Sequence, residues 1–242
     1  MAIVPPQSDR TRYRARLEQV VPLTESTKHF TFALTGPKQF GFVAGQFISL
    51  HLERNGADDV RAYSLASAPA DDSRFDLCLN RVPGGYFSNY LCDLTPSAEI
   101  VFEGPYGFFT PRQPLRDSVL VATGTGIAPI RGMLQDIFRR GTDRQLWLVF
   151  GVRYPETILY RQEWQELAAR HPNFHFWPTL SRGPAEWPGR RGYVQEHTER
   201  LVAERPDLDV YLCGLKAMVD DLRARLKARR FGRKQIRYEK YD

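Results

Sequence analysis

Residues Gly124-Thr125-Gly126-Ile127-Ala128-Pro129 close a short apolar run, Val119-Leu120-Val121-Ala122-Thr123, and open a helical pattern. The run is β-branched and uninterrupted, which suits a strand buried on both faces of a parallel sheet. Beyond it Ile130, Met133, Leu134, Ile137 and Phe138 recur on one helix face, and Gly141 stands where that helix would stop. Pro129 fits the first helical turn, where no backbone N–H is needed. A strand, a glycine turn and a helix N-terminus together place backbone donors and a positive dipole end where a pyrophosphate can sit. A nucleotide ligand is therefore expected. A plain structural turn is the competing reading, because the third glycine of the usual dinucleotide fingerprint is missing.

With 242 residues the chain can bury one large core or two ordinary ones, and the pattern changes character near residue 112. We expect a leader over residues 1–11, a β-domain over 12–112 and an α/β domain over 113–242. In the first half, short alternating segments at 13–23, 29–34, 47–53, 61–67, 74–82 and 99–103 are punctuated by Gly36-Pro37 and Asn55-Gly56, with one helical insert at 86–94. Six such strands predict a small antiparallel barrel. In the second half strands at 118–122, 146–151, 174–180, 209–213 and 235–239 alternate with helical patterns, which predicts a five-stranded parallel sheet with ligands at the carboxyl ends of its strands.

Several chemistries find no support. No apolar run is long enough to span a bilayer and the first residues lack a signal-type stretch, so a soluble cytoplasmic protein without membrane insertion is expected. Cys78, Cys92 and Cys213 form neither a CxxC pair nor the spacing of a plant-type iron–sulfur site, so any such cluster must belong to a partner. His29, His51, His171, His175 and His197 show no metal-ligand spacing, and Ser64 and Ser88 have no adjacent base. The net charge of +6 favours acidic partners or phosphates. Its sharpest source, Arg223, Arg225, Lys227, Arg229, Arg230, Arg233, Lys234 and Arg237, reads either as the solvated face of the last helix or as a dock for an acidic protein. No recognition motif for nucleic acid accompanies it.

Three further segments carry polar chemistry. Arg61-Ala62-Tyr63-Ser64 offers a cation, an aromatic plane and a hydroxyl, with Arg61 and Tyr63 on one strand face; an ordinary edge strand is the alternative. Gly84-Gly85-Tyr86-Phe87-Ser88 turns into a helix as a second phosphate cradle, and Gly104-Pro105-Tyr106-Gly107 makes a tight turn.

Taken in order, Gly45-Gln46-Phe47, Arg61-x-Tyr63-Ser64, Gly85-x-x-Ser88, Gly104-Pro-Tyr-Gly107, Gly124-Thr-Gly-Ile-Ala-Pro129, Cys213-Gly214 with Met218, and Glu239-Lys240-Tyr241 resemble the ferredoxin–NADP reductase family. These are flavoproteins that join an FAD-binding barrel to a nicotinamide nucleotide domain. The resemblance runs from Tyr13 to Tyr241. It implies that Arg61 pairs with the flavin pyrophosphate, Tyr63 stacks on the isoalloxazine, Ser64 reaches towards N5, and Gly85 and Ser88 complete the pyrophosphate site. It places Thr123, Gly124, Thr125 and Gly126 on the NADP pyrophosphate, with Cys213, Gly214 and Met218 near its nicotinamide. Cys213 reads more readily as a shaper of that site than as a nucleophile. Ser181 and Arg182 resemble the residues that hold the 2′-phosphate, with Arg190 and Arg191 close in sequence to assist, whereas Gly192-Tyr193-Val194 resembles NADH-using oxygenase reductases. Glu239 matches a carboxylate that sets polarity or passes protons. Tyr241 matches an aromatic lid on the flavin, with Tyr238 as its rival. The chain departs from the family at Thr95-Pro96-Ser97-Ala98-Glu99, where a Gly-Asp turn is frequent, and at Asp242, which extends the tail beyond the aromatic residue.

The implied catalytic set is Ser64, Cys213, Glu239 and Tyr241, and the implied activity is hydride transfer at flavin N5 coupled to one-electron exchange with ferredoxin or flavodoxin. An NADH-dependent reductase component of a multicomponent oxygenase and a flavin-binding regulatory subunit without turnover are the alternatives.

Overall fold

The computed structural model describes residues 11–36, 39–70 and 73–241, so that nearly all of the expected leader, Pro37 and the tail residue Asp242 lie outside the described residues. The chain divides into two compact units, one running to Thr110 with Arg131–Arg140 added, the other comprising Pro111–Ile130 and the residues from Gly141 onward.

The first unit is built on β1 (Arg12–Pro22), β2 (Thr27–Leu34), β3 (Phe47–Arg54), β4 (Ala57–Ser64), β5 (Arg74–Asn80) and β6 (Glu99–Tyr106), with helix α1 (Tyr86–Asp93) between the last two. These form an antiparallel sheet in the order β4-β3-β6-β1-β2-β5. A bridge between Leu65 and Leu77 and the bond from the Ala66 N–H to the Asp76 carbonyl (2.8 Å) join its outer strands, closing the barrel. Alternation along β2 places Phe30 and Phe32 inside, where they meet Phe75, Phe102, Phe40 and the inward residues of β3. Asn55 and Gly56, both at positive φ, form the two-residue turn that sets Arg54 opposite Ala57. Strand β4 thus begins four residues before the expected start at 61. Asp58 and Asp59 had hidden it, since they interrupt any apolar alternation.

The second unit contains β7 (Ser118–Thr123), α2 (Ile127–Arg140, whose residues from Arg131 belong to the first unit), β8 (Leu146–Val152), α3 (Arg161–Arg170), β9 (Phe174–Leu180), β10 (Arg190–Arg191), α4 (Val194–Glu204), β11 (Asp209–Leu215), α5 (Lys216–Ala228) and β12 (Ile236–Tyr241). Its parallel sheet runs β10-β9-β8-β7-β11-β12. Six strands are present where five were expected: β10 is two arginines long, paired with Thr179 and Leu180, and too short and too polar to leave a periodic signal. Residues 118–122 are buried throughout, with Val119 and Val121 packed in a cluster with Val194, Leu201, Val219 and Leu222 of α4 and α5. That double burial is why the run is uninterrupted. Gly141 ends α2 at φ +81°, the left-handed geometry a helix stop requires.

The basic run is largely exposed but not confined to the last helix: α5 holds Arg223, Arg225 and Lys227, the rest follows it and Arg237 lies in β12, and part of the run is paired. Arg225 pairs with Asp221 and Glu199, Arg229 with Glu199, and Arg223 with Asp220. Among the described residues no helix is long and apolar enough to cross a membrane, and no group of three or more His, Cys, Asp or Glu could hold a metal.

Candidate functional site

In the barrel unit, β4 lies in register with β3 so that Arg61 opposes Leu50, Tyr63 opposes Ile48 and Ser64 opposes Phe47. Arg61 is exposed and its guanidinium is held by Asp59 (2.5 Å) and the Val60 carbonyl (2.8 Å). Tyr63 packs against Phe87 of α1, ring centroids 6.0 Å apart, and burial pushes its phenol up to about 12, so its hydroxyl stays protonated at neutral pH. Ser64 is buried. The Tyr63–Phe87 contact sets this strand end beside the N-terminus of α1, whose first N–H groups have no partners within the helix.

The turn into α1 is tied by side chains. Ser88 Oγ accepts the Val82 N–H (3.1 Å), and Asn89 Nδ2 donates to the carbonyls of Val82 (2.9 Å) and Gly85. Arg81 fixes Asn89 in turn, donating to its Oδ1 at 2.9 Å and pairing with Asp93. Asn89 and Arg81 escaped the sequence reading; their signal was an amide four residues after a glycine pair. Gly84 has φ +72° and open space where a Cβ would stand, whereas a Cβ on Gly85 would meet Ser88 Oγ at 2.8 Å.

In the α/β unit, β8, β9 and β10 lie to one side of β7 and β11 and β12 to the other, so the connections reverse between β7 and β11. Open sheets bind ligands at that reversal, outside the carboxyl ends of the strands. Here the turn after β7 and the end of β11 meet backbone to backbone. A Cβ on Gly126 would stand 2.6 Å from the Cys213 carbonyl carbon, and one on Gly214 (φ +136°) would stand 2.8 Å from the Thr123 carbonyl oxygen. Thr123 Oγ1 accepts the Leu215 N–H at 3.1 Å and so ties the two strand ends together. Gly124, at φ +53°, again has open space in the Cβ direction. Each cradle thus pairs one open, left-handed glycine with one whose missing side chain permits close packing.

Along the same edge, the Ser181 N–H donates to the Val152 carbonyl and the Arg182 N–H to the Arg153 carbonyl, both at 3.0 Å. Arg153 and Arg182 are exposed neighbours, and neither guanidinium makes an ion pair or hydrogen bond among the described residues. Arg153 was missed, since it follows a strand with no motif of its own. Arg190 lies 3.8 Å over the Trp177 ring, and burial lowers its pKa. Arg191 donates to the carbonyls of Gly183, Pro184, Ala185 and Trp187. The four sequence-predicted residues of this region therefore share an edge but differ in what they have left to offer.

At the other side of the reversal, Cys213 opposes Glu239, and Leu215 opposes Tyr241. Burial pushes the Cys213 thiol well above its usual range and the Glu239 carboxylate adds to this; hydrogen bonds from the Tyr241 hydroxyl and the Gly214 backbone offset it in part. A thiol held protonated is a weak nucleophile. Met218 packs in the core of the unit. Tyr238 lies under the Arg223 guanidinium, 3.6 Å from its ring centre, so that the two tyrosines of the tail have different neighbours.

The sequence matches two family models, described as an oxidoreductase FAD-binding domain over residues 14–110 and an oxidoreductase NAD-binding domain over residues 120–224. It is 42% identical over 240 residues to ferredoxin–NADP reductase B of Sorangium cellulosum, covering 95% of this chain and 98% of that protein. It is 30% identical to the toluate 1,2-dioxygenase electron transfer component of Pseudomonas putida, covering 97% of this chain but 69% of that one. Among solved structures, the Neisseria gonorrhoeae ferredoxin NADP+ reductase with bound FAD and NADP has the same fold, with a TM-score of 0.83 at 23% identity over 96% of this chain and 99% of that one. The Amycolatopsis cytochrome P450 reductase GcoB matches with a TM-score of 0.84 at 29% identity, over 96% of this chain and 70% of that one.

Proposed function

The chain belongs to the ferredoxin–NADP reductase family, and from that premise we propose that it moves electrons between NADPH and a separate one-electron carrier protein by way of FAD. The observation that carries this reading is the presence in one chain of two glycine cradles of like design, one at the N-terminus of α1 and one at the reversal between β7 and β11. When bound, FAD supplies the exchange between a hydride received at N5 and electrons handed on singly.

The residues of this chain bind, orient and shield. Arg61, a planar fork suited to a diphosphate, exchanges Asp59 for the flavin pyrophosphate, while the backbone at Gly85 and the hydroxyl of Ser88 complete that site. Tyr63 offers its ring to the isoalloxazine, and Ser64 its hydroxyl to N5. Gly124, Thr125 and Gly126 receive the NADPH pyrophosphate, and Thr123 and Gly214 fix the spacing of the two strand ends around it. Ser181 and Arg182, joined by Arg153, take the 2′-phosphate, for which free guanidinium groups are apt. Cys213 and Gly214 bound the nicotinamide end by volume, with Glu239 and Tyr241 on the neighbouring strand.

The carrier class is an acidic protein of ferredoxin or flavodoxin type, supported by the net charge of +6. The likeness to the toluate dioxygenase component and the Gly192-Tyr193-Val194 segment favour a second reading, an NADH-dependent reductase that serves an oxygenase. Anaerobic titration decides between them. Purified protein should be yellow with noncovalent FAD and should bleach with NADPH at lower concentration than with NADH, then recover colour on addition of oxidised ferredoxin or flavodoxin. Preference for NADH would move the assignment to the second reading. A yellow protein bleached by neither would mark a binding subunit without turnover.

A further inference from the structure

Residues 183–187 form a loop between β9 and β10, closed by a turn bond from the Trp187 N–H to the Pro184 carbonyl (3.0 Å) and spanned by the Arg191 side chain. Arg191 Nη1 donates to the Gly183 carbonyl at 3.1 Å, and Nη2 is directed at the carbonyls of Pro184, Ala185 (2.7 Å) and Trp187 (3.3 Å). A guanidinium has five N–H donors in a fixed planar fork, and these contacts occupy one on Nη1 and both on Nη2. The loop is closed from the other side as well. Trp187 Nε1 donates to the Arg190 carbonyl at 3.1 Å, Arg161 lies over the Trp187 ring at 5.5 Å, and a Cβ on Gly189 would meet that indole at 2.7 Å. Arg191 is itself anchored, because its carbonyl lies 2.8 Å from His197 Nε2 of α4 and its neighbour Gly192 bonds to Leu180.

From this geometry we infer that Arg191 is a positioning residue for nucleotide selection rather than a ligand of the 2′-phosphate. It closes the 183–187 loop and thereby fixes Arg182, at the loop's entry, beside Arg153. The inference rests on the NADPH reading above. The energetic logic is preorganisation: a phosphate that meets two guanidinium groups already held apart from competing partners need not order the loop as it binds. Arg191 contributes by shape, as a fork that spans several carbonyls, and a lysine cannot replace it although the charge would be kept.

The test uses the FAD-loaded protein and the variants Arg191→Lys, Arg191→Ala and Arg182→Ala, alone and combined. Hydrogen exchange of the Trp187 amide, which donates to the Pro184 carbonyl at 3.0 Å, should accelerate in Arg191→Lys and Arg191→Ala without nucleotide present, and stay at the wild-type rate in Arg182→Ala. KM for NADPH should rise roughly tenfold in Arg191→Lys and Arg191→Ala, with the loss in KM rather than kcat and with KM for NADH little moved. Combined with Arg182→Ala, the Arg191 change should add little, since both act through the same contact. A lysine that restores wild-type KM, unchanged exchange in the loop, or full additivity would each overturn the inference and make Arg191 a direct ligand or a bystander. A wild-type protein indifferent to the 2′-phosphate overturns the underlying NADPH reading and the inference with it, and that outcome is seen before any variant is made.

Discussion

The two glycine cradles solve one problem with different backing. At the N-terminus of α1, Gly84 is open and Gly85 is close-packed, but what it packs against is the Ser88 hydroxyl and the edge of Val82. At the reversal of the parallel sheet, Gly124 is open and Gly126 is close-packed against the backbone of Cys213 and Gly214. A hydroxyl can rotate out of the way; a strand in the middle of a sheet cannot. The first cradle is therefore adjustable and depends on side-chain hydrogen bonds, and the second is rigid and depends on the absence of atoms.

The largest expected effect breaks the rigid cradle. Gly126→Ala places a methyl group where the Cys213 carbonyl stands, and overpacking against an unyielding neighbour should cost about 3 kcal/mol, at the upper end of such changes. For a chain of this size that is a fall of roughly 6 to 12 °C in Tm. A thermal scan of the FAD-loaded variant within a degree or two of wild type would show that β11 gives way after all. Next, Arg182→Ala should raise KM for NADPH about tenfold or more while sparing NADH, since a charge-assisted contact contributes about 1.5–3 kcal/mol. Steady-state kinetics with both nucleotides check it.

The adjustable cradle should respond more mildly. Gly85→Ala is expected to cost about 1 kcal/mol, and Ser88→Ala a similar amount because the Val82 N–H loses its acceptor. The double variant should cost less than the sum of the two, since removing the Ser88 hydroxyl makes room for the new methyl group. Simple additivity in denaturant unfolding would mean that Val82, rather than Ser88, limits the site. The smallest effect is on Cys213 chemistry. All three cysteines are buried, and the Cys213 thiol is raised well above 9.0, so alkylation of native protein at mildly alkaline pH should label no cysteine, and of unfolded protein three. Above about pH 9 the unfolded thiol releases a proton that the folded one keeps, so stability falls as pH climbs through that range. Rapid labelling of Cys213 in the folded state would contradict the tight packing on which the rigid cradle depends.

Legibility in the sequence tracked this difference. The rigid cradle announced itself, because a buried parallel strand must be apolar on both faces and a backbone that approaches another must be glycine. Both demands leave marks within a dozen consecutive residues, from Val119 to Ile130. The adjustable one was half visible: Gly84, Gly85 and Ser88 stood out, but Asn89 and Arg81 act through hydrogen bonds that no spacing rule announces. The opening of β4 was hidden because its aspartates pair with neighbours such as Arg12, Arg61 and His51 rather than alternate with apolar residues. Strand β10 and the place of Arg153 beside Arg182 became visible only when β8 and β9 were set side by side. A run of arginines carries no mark that separates a side chain spent on carbonyls, as in Arg191, from one with its donors still available.

The outer strands of the parallel sheet also bear on how the protein keeps company with itself. A strand paired on one side only presents a template on which another chain can crystallise or polymerise, and the barrel avoids this by joining its first and last strands. The parallel sheet has no such closure, yet one of its borders is two arginines long and the other, β12, carries Arg237 and Lys240 among its six residues. Two copies meeting at their β10 borders would bring like charges together before any ladder could form, whereas at β12 the charges are balanced by Glu239 and by the pairing of Lys240 with Asp220.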